Sequence, residues 1–79
     1  MPPAPVPFTE AKMIQIVLNG EPRLVPEGLN VMELLLNLGV DPERVAVELN
    51  RTIIRQLEWT NKRVDDGSAV EIVQFVGGG

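Results

Sequence analysis

The chain has 79 residues, and seven Lys and Arg against eleven Asp and Glu give a formal net charge of −4, which suits one small, mildly acidic domain and excludes a second. Hydrophobic residues at 44% and charged residues at 23% match an ordinary globular chain and exclude disorder throughout. The absence of both cysteine and histidine removes disulfides, the usual zinc sites, thiol nucleophiles and His-based acid–base catalysis.

Neither G-x-x-x-x-G-K-[ST] nor G-x-G-x-x-G occurs, so the usual phosphate cradles are missing, and the expectation is a protein that is not an enzyme. An isoelectric point near 4.6 argues against nucleic acid as the main partner, because that binding is driven by phosphate neutralisation; a basic protein surface matches better. No apolar run approaches the roughly 18 residues needed to cross a bilayer, and the N-terminus lacks the basic start and apolar stretch of a secretion signal. No membrane partner is expected, and the expected location is cytoplasmic.

Pro2, Pro3, Pro5 and Pro7 make residues 1–12 a flexible, polyproline-like arm with little to bury, which predicts that it is dispensable. Met13 opens the patterned region. Met13 to Asn19 reads as a strand with Ile14, Ile16 and Leu18 on one face, and Asn19-Gly20 is a strong hairpin signal returning through Arg23 to Val25. Pro26-Glu27-Gly28 breaks the sheet. Asn30 followed by Glu33 resembles a capping box for a helix over 31–38, whose Val31, Leu34, Leu35 and Leu38 form one stripe ending at Gly39.

Asp41-Pro42 starts a turn, Val45 to Leu49 alternates as a strand, and Asn50-Arg51 is a second tight turn. Ile53-Ile54 is a short strand and Gln56 to Trp59 a helical turn. Asp65-Asp66-Gly67-Ser68 is a turn before the β-rich run Ala69 to Val76. The order β-β-α-β-β-β predicts an α+β domain over residues 13–76, with one helix across a mixed sheet of four or five strands. There is no internal repeat.

Gly77, Gly78 and Gly79 follow this last strand directly. Three glycines lose more entropy on ordering than any other triplet, so they form a flexible tail unless a partner grips them. Extended, they reach roughly 10 Å, and without side chains they fit a channel too narrow for other residues. The group delivered is the α-carboxylate of Gly79, ionised at neutral pH and able to attack a phosphoanhydride. The competing reading is terminal fraying or a cloning scar.

The V-x-x-L-L helix, the D-D-G-S turn and the run A-V-E-I-V-Q-F-V-G-G-G together resemble the ThiS family, thiamine-biosynthesis sulfur carriers of ubiquitin-like β-grasp fold; the resemblance covers residues 13–79. It implies that Gly79 is the covalently modified residue and that Gly77 and Gly78 occupy a partner's channel. A ubiquitin-activating-type enzyme would adenylate the carboxylate with ATP, a sulfur donor would convert the adenylate to a thiocarboxylate, and thiazole synthase would receive the sulfur. The chain itself would bind no cofactor or metal. The Pro-rich arm and the third glycine, Gly77, depart from the family pattern. Sister carriers serving molybdopterin or cysteine synthesis, ubiquitin-like modifiers, and a non-catalytic β-grasp interaction module remain alternatives.

Val73 and Phe75 fall on the opposite face of the last strand from Val70 and Ile72, so with Val76 they are the candidate docking patch, against the alternative of a second covered face. Met32 and Leu36 lie off the helical stripe, and the segment 51–60 is expected to cover them. Arg51, Arg55, Lys62 and Arg63 are read as a solvated surface, and Glu48, Glu58, Asp65 and Asp66 as turn and surface acids. Trp59 is the expected core anchor.

Overall fold

The computed structural model describes residues 12–75; the expectations for residues 1–11, for Val76 and for Gly77, Gly78 and Gly79 concern positions outside these residues. Strand β1 (Met13–Leu18) and strand β2 (Glu21–Pro26) form the expected hairpin. Asn19 at φ 49° and Gly20 at φ 84° are both left-handed, as the two-residue turn that matches strand twist requires.

Strand β2 extends beyond the expected Arg23–Val25 at both ends, taking in Pro22 and Pro26. The turn fixes the reason. With Leu18 opposite Glu21, residues 21, 23 and 25 direct their backbone groups towards β1, whereas 22, 24 and 26 face outward. Because β2 is an edge strand, neither proline removes a ladder bond. The same parity carries one step further, where Glu27 N donates to the Lys12 carbonyl at 2.9 Å.

Helix α1 (Val31–Asn37) starts as its sequence indicates: Asn30 Oδ1 accepts from Glu33 N at 2.8 Å, and Asn30 N donates to Glu33 Oε1 at 2.9 Å. At the other end Gly39 N donates to Leu36 O and Val40 N to Leu35 O, a paired closure that needs the left-handed φ of 74° found at Gly39. Val31, Leu34 and Leu35 are buried and Leu38 is half-buried.

The cover expected over Met32 and Leu36 is only partial. A 3-10 segment, Gln56–Asn61, and the chain after it pack against the start of α1 through Asn30 Nδ2 to Thr60 O and Val31 N to Lys62 O. Met32 packs against the core, while Leu36, one turn further on, is 61% exposed.

Strand β3 (Val45–Leu49) follows a 3-10 turn, Pro42–Arg44, and pairs with β4 (Thr52–Ile54); β5 (Ala69–Gln74) closes the domain. The sheet order is β2-β1-β5-β3-β4, with β1 and β5 parallel and the other pairs antiparallel. This is the expected mixed sheet, with five strands, and α1 across one face makes it a β-grasp. Ile16, Leu34, Leu35, Val47, Val64 and Val70 are fully buried between the layers. Trp59 is 2% exposed and its Nε1–H donates to Ile54 O at 2.9 Å, so the core-anchor reading holds. Among the described residues no helix is long and apolar enough to cross a membrane.

The β3–β4 hairpin repeats the first turn with Asn50 at φ 51° and Arg51 at φ 69°. Arg51 has a Cβ and no glycine's freedom, so it sits in a disfavoured region. Arg51→Gly is expected to stabilise the domain by about 0.5–1 kcal/mol, the strain relieved exceeding the added unfolded-state entropy. Urea unfolding checks this, and a lower midpoint would contradict it.

Candidate functional site

Strand β5 leads to the glycine tail, and it runs through the middle of the sheet rather than along an edge. On its β3 side it is paired from Leu49↔Val70 to Val45↔Gln74, and Phe75 N still donates to Arg44 O at 2.7 Å. The parallel ladder with β1 is short, covering Val17↔Ala69 and Leu18↔Val70. One hairpin turn adds to each side of β5. Asn50 N donates to Ala69 O and Asn50 Oδ1 accepts from Ala69 N, while Asn19 N donates to Val70 O. The chain is therefore held up to Phe75, the last described residue before the tail.

Alternation along β5 buries Val70, half-buries Ile72 and leaves Val73 and Phe75 59% and 57% exposed on the sheet face away from α1. The expected patch residues Val73 and Phe75 are thus together on an open face; Val76, Gly77, Gly78 and Gly79 lie outside the described residues. Ile53 of β4, 72% exposed, joins the same face. Sequence reading placed it in a strand without assigning it to the patch, although the adjacent pair Ile53-Ile54 requires one of the two to point outward. A concavity of about 220 Å³ lies between them, lined by Ala46, Glu48, Ile53, Glu71 and Val73. Glu48 and Glu71 are direct cross-strand partners, a like-charge pairing that disfavours the isolated sheet and favours a basic group above it.

The remaining candidates have local roles. Asp66 Oδ1 accepts from Gln15 N, and Asp65 N donates to Ser68 Oγ within the D-D-G-S turn. Arg55 pairs with Glu58 at 3.8 Å, and Arg51, Lys62 and Arg63 are exposed. Among the described residues no group of three or more acids gathers as a metal site.

Comparison with known proteins agrees with this architecture. The crystal structure of a thiamine biosynthesis protein, ThiS, from Geobacter metallireducens superposes with a TM-score of 0.73 at 40% identity, covering 84% of this chain and all of that one. The sulfur carrier protein ThiS of Thermus thermophilus is 42% identical over 62 residues, which are 78% of this chain and 95% of that protein. A thiazole synthase of Paramagnetospirillum magneticum is also 42% identical over 66 residues, but the match spans about a fifth of its length, 20%, against 84% of this chain. Since the ThiS family model matches residues 12–79, through the last glycine, the chain belongs to the ThiS family.

Proposed function

We propose that this chain is a sulfur carrier for thiazole formation in thiamine biosynthesis, a protein substrate rather than a catalyst. The observation that carries the reading is the family match extending over the whole domain and all three glycines. In this mechanism the Gly79 carboxylate attacks the α-phosphorus of ATP held by a ubiquitin-activating-type partner, and pyrophosphate leaves. A sulfur nucleophile then adds to the acyl carbon and AMP departs, leaving a thiocarboxylate. Gly77 and Gly78 line the way through the partner's channel without side chains to obstruct it. The chain itself binds neither ATP nor a metal.

Thiazole synthase is the proposed acceptor of the sulfur. Two thiazole synthases contain a segment 42% and 36% identical to this chain, which supports a carrier fold working beside the synthase. The reading is tested by intact mass after incubation with ATP, the adenylating enzyme and sodium sulfide, where the expected change is one sulfur replacing one oxygen. An unchanged mass would overturn it.

Docking of the adenylating enzyme is assigned to the open face at Val73, Phe75 and Ile53. The Glu48–Glu71 pair suits a basic side chain of that partner. The double substitution Val73→Ser, Phe75→Ser is expected to raise the KM for the carrier by about tenfold or more, since both exposed apolar groups would be buried on docking. The unfolding midpoint should stay close to wild type. Steady-state adenylation assays check this, and an unchanged KM would place docking elsewhere.

A further inference from the structure

We infer that Asn19 is a positioning residue for the carrier reaction: its side chain completes the pairing of β5 where β1 has ended and so fixes the course of the chain towards Phe75, ahead of the tail. The inference rests on the carrier reading for its consequence in transfer, and on geometry alone for the hold itself.

Beyond Val70, β1 has turned into its hairpin and no longer offers backbone groups to β5. The side of Ile72 that faces this gap would be bare. Asn19 fills it from both directions: Ile72 N donates to Asn19 Oδ1 at 2.8 Å, and Asn19 Nδ2 donates to Ile72 O at 3.3 Å. The carboxamide thereby stands in for one more peptide of β1, since like a peptide it offers a carbonyl acceptor and an N–H donor together.

The turn does not require that side chain. Glycine adopts the left-handed φ of this position at least as readily, so the asparagine has a second task. Asn50 performs a related one at Ala69, where β5 begins. Asn19 acts at the other end, on the last residue for which the described structure shows a hold on the β1 side. Beyond it, among the described residues, the strand is held from the β3 side, by Val45 opposite Gln74 and by Arg44 O at Phe75 N.

A strand end held on one side twists more freely than one held on two. From Ile72 to Phe75 the extended chain spans roughly 10 Å at about 3.3 Å per residue, so a swing of about 10° at Ile72 moves Phe75 by about 2 Å. Misplacement of about 1 Å is already enough to slow a positioned reaction by up to about a hundredfold. Val73 stays paired with Ala46 and Ile53 with Glu48 through such a swing, so most of the docking face keeps its place and the loss falls mainly on turnover rather than on recognition.

The test uses Asn19→Gly, which keeps the turn and removes the carboxamide, and Asn19→Asp, which keeps an acceptor for Ile72 N–H. Backbone order parameters at Gln74 and Phe75 read the hold directly. Adenylation of the full chain by its partner enzyme, followed as pyrophosphate exchange, gives kcat and KM. Asn19→Gly is expected to lower the order parameters, reduce kcat about three- to tenfold and leave KM within about twofold, with Asn19→Asp recovering most of kcat. Unchanged order parameters in Asn19→Gly would overturn the hold. Lowered order parameters with unchanged kcat would reduce Asn19 to a purely structural role and overturn the positioning. If the wild-type chain were not activated at all, the carrier reading and Asn19's role in transfer would fall, while the order parameters would still decide the hold.

Discussion

Deleting Gly79, or placing a purification tag behind it, is expected to abolish thiocarboxylate formation while leaving circular dichroism and the unfolding midpoint at wild-type values. The separation follows from where the structure stores its stability. Among the described residues every member of the buried core lies between Ile14 and Val70, and the last described backbone bond is that of Phe75 N to Arg44 O. Changes at residue 79 therefore leave those contacts untouched. In the proposed mechanism they remove or displace the carboxylate that would meet the α-phosphorus in line, and positioning supplies most of the rate in phosphoryl and nucleotidyl transfer. The loss expected from a misplaced carboxylate is at least about a hundredfold, read as the fraction of protein gaining sulfur by intact mass. Gly78→Val should fail more gradually, since its branched side chain would obstruct the proposed channel while the carboxylate survives. A tagged or shortened chain converted at the wild-type rate would rule out Gly79 as the acceptor.

Much of this architecture could be read from the sequence because its signals are local. Asn30, Glu33 and Gly39 mark both ends of α1 within ten residues of each other, and the structure uses each for the bond its position implies. The exposed face was legible through alternation: once Val70 is placed inward, Val73 and Phe75 point out. Strand β2 was read too short because Pro22 and Pro26 oppose strand formation in general, whereas the parity set by the Asn19-Gly20 turn makes both harmless on this edge. Leu36 was read as covered because composition cannot say how far along α1 the 56–61 segment reaches. The grip of Asn19 on Ile72 joins residues 53 positions apart. Nothing in the N-G dipeptide distinguishes an asparagine that only turns the chain from one that also bonds to a distant strand.

The largest effect on the fold itself is expected at Trp59. Its indole lies in the 3-10 segment Gln56–Asn61, is almost wholly buried with the α1 and sheet side chains, and satisfies the Ile54 carbonyl through Nε1. Trp59→Ala removes the largest side chain of the core and leaves that carbonyl without its side-chain donor, for an expected loss of about 3–5 kcal/mol. A single small domain without disulfides or metal typically has about 3–5 kcal/mol in total, so the variant should be largely unfolded at 25 °C. Trp59→Phe keeps most of the apolar volume and gives up the hydrogen bond, at about 1–3 kcal/mol, and should remain folded with a lower urea midpoint. Leu57→Ala, in the same segment but at a side chain 70% exposed, should change stability by no more than about 0.5 kcal/mol. A folded, wild-type-like Trp59→Ala would mean that the 56–61 segment merely rests on α1 and the sheet. In that case the stability of this domain would have to come from the strand ladders and the α1 stripe alone.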